Sequence, residues 1–82
     1  MVIILNSDVF GKNVRYLRRK QKMSIFRLAR HLELPVWTLY RIETGKLRSL
    51  EDLLVQWICK IFSVDMHTMI YMKLYEQNPL RQ

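Results

Sequence analysis

The chain has 82 residues, half of them apolar, and fourteen Lys and Arg stand against seven Asp and Glu for a formal charge of +7. That suffices for one small domain with a single core. The lone Cys59 excludes an internal disulfide, and no His, Cys or carboxylate spacing suits a metal ion. No run approaches the roughly 20 apolar residues of a membrane span, and the apolar residues 1–5 are too short for a secretory leader. A soluble, reducing, cytoplasmic setting is expected. The charge is uneven. Residues 12–48 hold eleven Lys and Arg against two Glu, a balance of +9, while residues 49–82 balance at −1. Such asymmetry suits a polyanionic partner, because each neutralised phosphate releases counterions; a merely solubilising face is the bland alternative.

Residues 1–6 read as a short extended arm. Val2, Ile3, Ile4 and Leu5 are too apolar for a free tail. Packing on the C-terminal helix is the simpler expectation, and strand pairing with a second copy is the other. Ser7 is placed as the N-cap of a first helix, with Asp8 in its first turn. Phe10, Val14, Leu17 and Gln21 form its inward spacing, and Lys12, Arg15, Arg19, Lys20 and Lys22 point mostly outward.

Two short helices meeting at a tight turn are expected over 24–44. Ser24 caps the first, which runs over 25–32 and buries Leu28, Ala29 and Leu32. Ala29 is small enough to let a second helix cross closely. Leu34 fills the turn, and Pro35 fits the first position of the next helix. Leu39 and Ile42 face inward, which leaves Val36, Trp37, Tyr40 and Arg41 on the outer face. On so basic a body, such a face reads as a recognition helix for the DNA major groove.

Leu28, Ala29, Leu32, Leu34, Leu39 and Ile42 occupy the six positions that a helix-turn-helix pattern reserves for apolar residues and alanine. With Ile42-Glu43-Thr44-Gly45-Lys46 and Leu17-Arg18, the stretch resembles the phage-repressor (Cro/C1-type, XRE) DNA-binding domains over roughly 10–70. The chain departs from the pattern in three places. Glu33 stands where the family usually has Gly, a left-handed position that costs a non-glycine residue about 1 kcal/mol. Pro35 replaces a capping Ser or Thr, and Val36 and Trp37 replace the usual polar base-readers. The resemblance implies an all-α, compact, lambda-repressor-like five-helix bundle around a central helix-turn-helix. It also implies a largely buried ion pair between Arg18 and Glu43, whose two-pronged hydrogen bonding ties the first helix to the third. The second helix would straddle the DNA backbone, with Arg27 and Arg30 on phosphate. Lys46 and Arg48 would meet phosphate in the loop after the third helix.

Other contacts follow from the residues. Ser24 and Ile25 stand where orphan N–H groups suit a phosphate oxygen, and Arg27, a cation in a first helical turn, is better placed when an anion approaches. Thr38 lies near the phosphate side. Arg41 reaches guanine O6 and N7 with two bonds, Tyr40 donates to a phosphate or base edge, and Val36 meets a thymine methyl. Trp37 presses on methyls and sugars, caps an apolar patch, or anchors a protein partner.

Gly45 ends the third helix in a left-handed cap. Ser49-Leu50-Glu51-Asp52 reads as a weak capping box opening a fourth helix, whose stripe is Leu53, Leu54, Trp57, Ile58 and Ile61. Trp57 and Cys59 are expected in the core. Asp65 caps a fifth helix over 66–76, with Pro79 beyond it. Its Met66, Met69, Ile70, Tyr71, Met72, Leu74 and Tyr75 exceed one buried stripe, which points to a homodimer contact there, with the arm as a second candidate.

The domain is thus expected over 7–76, between the arm 1–6 and a tail 77–82. The expected function is sequence-specific binding of double-stranded DNA by a homodimeric transcription regulator acting as a repressor, nucleoid-associated when bound. No enzyme chemistry, cofactor or small-molecule effector is indicated. The alternative is a protein-interaction adaptor or antitoxin-like module on a helix-turn-helix scaffold.

Overall fold

The computed structural model describes residues 2–4 and 7–76, the side chain of Ile4 excepted. In chain order these are β1 (Val2–Ile4), α1 (Ser7–Lys20), α2 (Ile25–Leu32), α3 (Val36–Glu43), β2 (Ser49–Glu51), α4 (Asp52–Phe62) and α5 (Met66–Tyr71), followed by a 3-10 turn (Leu74–Glu76). The expected tail, with Pro79, lies outside the described residues, as do Met1, Leu5 and Asn6.

The five helices gather around one core. Phe10 and Val14 enter it from α1, Leu28, Ala29 and Leu32 from α2, and Leu39 and Ile42 from α3. Val55, Ile58, Cys59 and Phe62 enter from α4, Met69 and Ile70 from α5. On α1 the inward row includes Asn13 rather than Gln21, which is exposed just past the helix end. Gly11 faces the end of α3: a Cβ there would run into the Ile42 carbonyl oxygen and stand 3.0 Å from that of Glu43. The two helices therefore cross backbone to backbone.

The ends of α1 to α4 are set by left-handed residues. Lys22, Glu33 and Ser63 have φ 56° and Gly45 has φ 76°. After each, the chain folds back on its helix, as when Leu34 N donates to Ala29 O (2.9 Å) and Lys46 N to Arg41 O (2.9 Å). Pro35 stands one residue earlier than expected. Its ψ of 145° keeps it outside α3 as the cap, while its carbonyl accepts from Thr38 N and Leu39 N.

Three expectations are corrected. The arm does not pack as a loose segment on the C-terminal helix. β1 pairs antiparallel with β2, in register Val2↔Glu51, Ile3↔Leu50 and Ile4↔Ser49, so the bundle carries a small two-stranded sheet. Ser49 is thereby in a strand and caps nothing; α4 begins at Asp52 without a side-chain cap. The pairing satisfies backbone groups that the apolar arm would otherwise bury unbonded. Second, α4 turns Val55 and Cys59 inward, and Leu53 and Trp57, the latter expected in the core, stand 72% and 41% exposed. Third, the fifth helix stops at Tyr71 instead of reaching 76. The cause is Asn13, fully buried on α1. Its amide donates to the carbonyls of Met69 (2.8 Å) and Met72 (2.6 Å), and its carbonyl accepts from Leu74 N (2.9 Å). These bonds hold Met72 in an extended conformation and turn the chain.

Candidate nucleic-acid interface

The α2–turn–α3 unit is built by local rules. Ser24 Oγ accepts from Arg27 N at 3.1 Å and fixes the start of α2. Burying Leu28, Ala29 and Leu32 sets Arg27 and Arg30 on the exposed side. At the other end Glu33, in the left-handed conformation with φ 56° and ψ 41°, makes the turn. Leu34 half-buries between the helices and α3 follows.

On α3, burying Leu39, Ile42 and Glu43 leaves Trp37, Tyr40 and Arg41 exposed, Trp37 at 69%. Their i, i+3, i+4 spacing makes one outward face. Val36 is half-buried and packs against the core, so it sits on the flank of that face rather than within it. Thr38 is half-buried on the opposite flank, and Ile25 also packs against the core. Beyond Gly45, Lys46 and Arg48 are exposed. The structure thus brings Trp37, Tyr40 and Arg41 together, sets Ser24, Arg27 and Arg30 on the adjoining helix, and turns Val36, Ile25 and Thr38 partly inward.

What holds α3 at this angle lies behind it. Arg18 Nε donates to Glu43 Oε2 at 2.7 Å and Arg18 Nη2 to Glu43 Oε1 at 3.0 Å; the side chains are 11% and 4% exposed. Arg18 Nη1 also donates to Met23 O at 2.9 Å, which ties in the turn before α2. The pair joins α1 to the end of α3 and neutralises two charges that neither helix could bury alone. Thr44 Oγ1 donates to Tyr40 O at 2.9 Å and closes the last turn.

Of the eleven basic residues in 12–48, Arg18 alone is buried; the other ten are exposed. Lys12 is partly engaged, 3.5 Å from Asp8 and over the Tyr75 ring, and Lys20 lies over Tyr16. Phe26, exposed on α2, and Asn13 were not singled out from the sequence. Asn13 was detectable, since it falls at i+3 between Phe10 and Val14 on the inward row. Phe26 carries no such signal.

Burial pushes the Cys59 thiol up to about 11, with the Asp65 charge adding to it. The Thr68 hydroxyl and then its N–H, both donating to the Asp65 carboxylate that caps α5, hold that carboxyl below its ordinary value. Among the described residues no three His, Cys, Asp or Glu gather as a metal site, and no helix is long and apolar enough to cross a membrane.

No family model and no curated protein matches the chain. Solved structures do. The clp gene regulator ClgR from Corynebacterium glutamicum aligns with TM-score 0.69 and 16% identity over 77% of this chain and 66% of its own. SinR, a master regulator for biofilm formation crystallised in complex with DNA, aligns with TM-score 0.66 and 18% identity over 73% of this chain and 95% of its own. Apo-HppE aligns with TM-score 0.71 and 20% identity over 78% of this chain but 35% of its own. At such identities the likeness is one of fold, and HppE, an enzyme, shows the fold as part of a larger chain.

Proposed function

We propose that this chain, a Cro/C1-type helix-turn-helix fold, is a sequence-specific double-stranded DNA-binding regulator of transcription that acts as a repressor. The observation that carries the reading is the outward face of α3. Trp37, Tyr40 and Arg41 stand exposed together on the half of the molecule that holds ten exposed Lys and Arg. In this reading α3 enters the major groove. Arg41 takes a guanine edge, Tyr40 and Trp37 read beside it, and Val36 reaches a thymine methyl from the flank. Ser24, Ile25, Arg27, Arg30, Thr38, Lys46 and Arg48 seat the unit on phosphates and supply affinity without sequence information. Arg18 and Glu43 touch no DNA and set the pose of α3.

The protein works as a homodimer whose copies meet through the C-terminal half, where the sequence pointed to the fifth helix, and its reading helices then span half-sites about 34–36 Å apart. Repression follows from occupying a promoter. The protein acts in the cytoplasm, on the nucleoid, and catalyses nothing. SinR, similar in fold, was crystallised with DNA, which supports the assignment. The second reading, a protein-interaction adaptor, draws on the exposed Trp37 and Phe26.

The test is in-vitro selection from a random duplex pool at salt high enough to suppress nonspecific binding of a basic protein. Enrichment of an inverted repeat is the expected result. Enrichment of a single short site means a monomeric reader. No enrichment overturns the proposal in favour of the adaptor.

A further inference from the structure

α3 is poor in the groups that recognise two of the four bases. Its exposed residues are Trp37, Tyr40 and Arg41, with Val36 half-buried on their flank. Between Val36 and Glu43 there is no Asn, Gln or Asp, and the one carboxylate, Glu43, is buried with both oxygens accepting from Arg18. In the major groove a side-chain amide pairs with adenine, and a carboxylate accepts from the cytosine amino group. α3 offers neither. It offers one guanidinium and a large apolar surface, with Trp37 69% and Tyr40 55% exposed. The guanidinium suits guanine O6 and N7, and the apolar counterpart in the groove is the methyl group on C5 of a pyrimidine.

We infer that Trp37 reads C5-methylated pyrimidines, thymine and 5-methylcytosine alike, close to a guanine held by Arg41. The inference rests on the DNA reading above and names the base chemistry that reading selects. Trp37 and Arg41 are four residues apart, about 6 Å along the helix axis. Two base steps span about 6.8 Å of duplex, so at any tilt in the groove the two residues fall within two steps of each other. Tyr40, at i+3 from Trp37, widens the same apolar face. Trp37 has no part in the core, because Leu39, Ile42 and Glu43 hold α3 to the bundle. Charge brings DNA to this face, since ten exposed Lys and Arg lie in the same half of the chain. Thymine and 5-methylcytosine carry their methyl at the same place on the groove edge and differ beside it, in a 4-oxo or a 4-amino group. A face without a free carboxylate or amide has nothing dedicated to that difference. Methylation of a cytosine at the position Trp37 covers then turns a poor site into a good one, and a base modification tunes binding at unchanged sequence.

The test uses the full chain and the duplex selected from the random pool, with binding followed by fluorescence anisotropy of the labelled duplex. Each thymine is replaced singly by deoxyuridine, which removes the methyl and nothing else. At the thymine that responds, a C·G pair is then compared with the same pair carrying 5-methylcytosine. Uracil is expected to weaken binding about fourfold, the worth of burying one carbon, and methylation of the cytosine to strengthen it by about the same factor. Trp37→Ala is expected to bring both ratios near unity, and Trp37→Phe to keep them. Far-UV circular dichroism should not change, because the Trp37 side chain is exposed. Phe26→Ala, which removes an exposed aromatic ring from α2, should leave both ratios as in wild type. A selected site with no thymine within two steps of a guanine overturns the inference, and so does one indifferent to uracil at every thymine; the DNA reading stands in both cases. A folded Trp37→Ala variant that keeps the wild-type ratios removes Trp37 from the assignment, as does a Phe26→Ala variant that loses them. A loss with uracil but no gain on methylation confines α3 to thymine and overturns the equivalence of the two bases. If no site is selected at all, the DNA reading itself fails and the inference falls with it.

Discussion

Replacing Arg18 with Met tests the tie between α1 and α3. Met keeps the aliphatic stem and removes the guanidinium, so Glu43 loses hydrogen bonds at 2.7 and 3.0 Å and the Met23 carbonyl loses one at 2.9 Å. The Glu43 side chain, 4% exposed, cannot exchange them for water without opening the α1–α3 contact. Stranding one charge of a buried pair costs about 3–5 kcal/mol. In a chain of this size, roughly 4 kcal/mol lowers the melting temperature by roughly 20 °C, against a total stability of about 5–15 kcal/mol. Urea unfolding followed by circular dichroism reads the loss as a shifted midpoint with an unchanged slope. The double variant Arg18→Met with Glu43→Leu should recover most of it, to within about 1–2 kcal/mol of wild type, because no charge is left stranded. A single-variant cost under about 1 kcal/mol, or a double variant as weak as the single, would refute the reasoning.

Other positions have defined outcomes. Gly11→Ala should destabilise the fold by about 1–3 kcal/mol in thermal melts, despite alanine's better helix propensity of about 1 kcal/mol, because the new methyl meets the backbone of Ile42 and Glu43. Asn13→Ala strands two carbonyls and an N–H; it should cost about 2 kcal/mol and speed hydrogen exchange at the Leu74 amide. Cys59 titrates from 9.0 when unfolded but near 11 when folded. The unfolded chain therefore binds fewer protons between those values, so the stability contribution is whole below pH 9.0 and is lost as pH rises toward 11; Cys59→Ala should lack that decline in pH-dependent urea unfolding. In binding titrations Arg41→Ala should relax preference at one base pair, by about 1–3 kcal/mol, whereas Arg27→Ala should weaken cognate and scrambled duplexes alike. Equal losses for both variants on both duplexes contradict the assignment.

What the sequence determined by itself is the part whose causes lie within a few residues along the chain. The spacing of Leu28, Ala29, Leu32, Leu39 and Ile42 sets the inward rows of α2 and α3, and those residues are buried as that spacing requires. Ser24 and Asp65 cap with their own side chains, and Gly45 takes the left-handed angle its place asks for. Burying Leu39 and Ile42 is enough to expose Trp37, Tyr40 and Arg41 on the opposite side.

The tertiary structure decided what depends on residues distant in sequence. Ser49, Leu50 and Glu51 read as a cap, but Val2–Ile4 arrives to pair with them and makes a strand. The periodicity of α4 holds two apolar rows, and only the positions of α1, α2 and α5 select Val55, Ile58 and Phe62 over Leu53 and Trp57. Helical spacing runs on past Tyr71, yet Asn13, more than fifty residues upstream, takes the carbonyls that would continue α5. In each case the local pattern permits more than one outcome, and a backbone or core partner supplied by the rest of the chain makes the choice, because buried polar groups must be bonded and one face of each helix must meet the core.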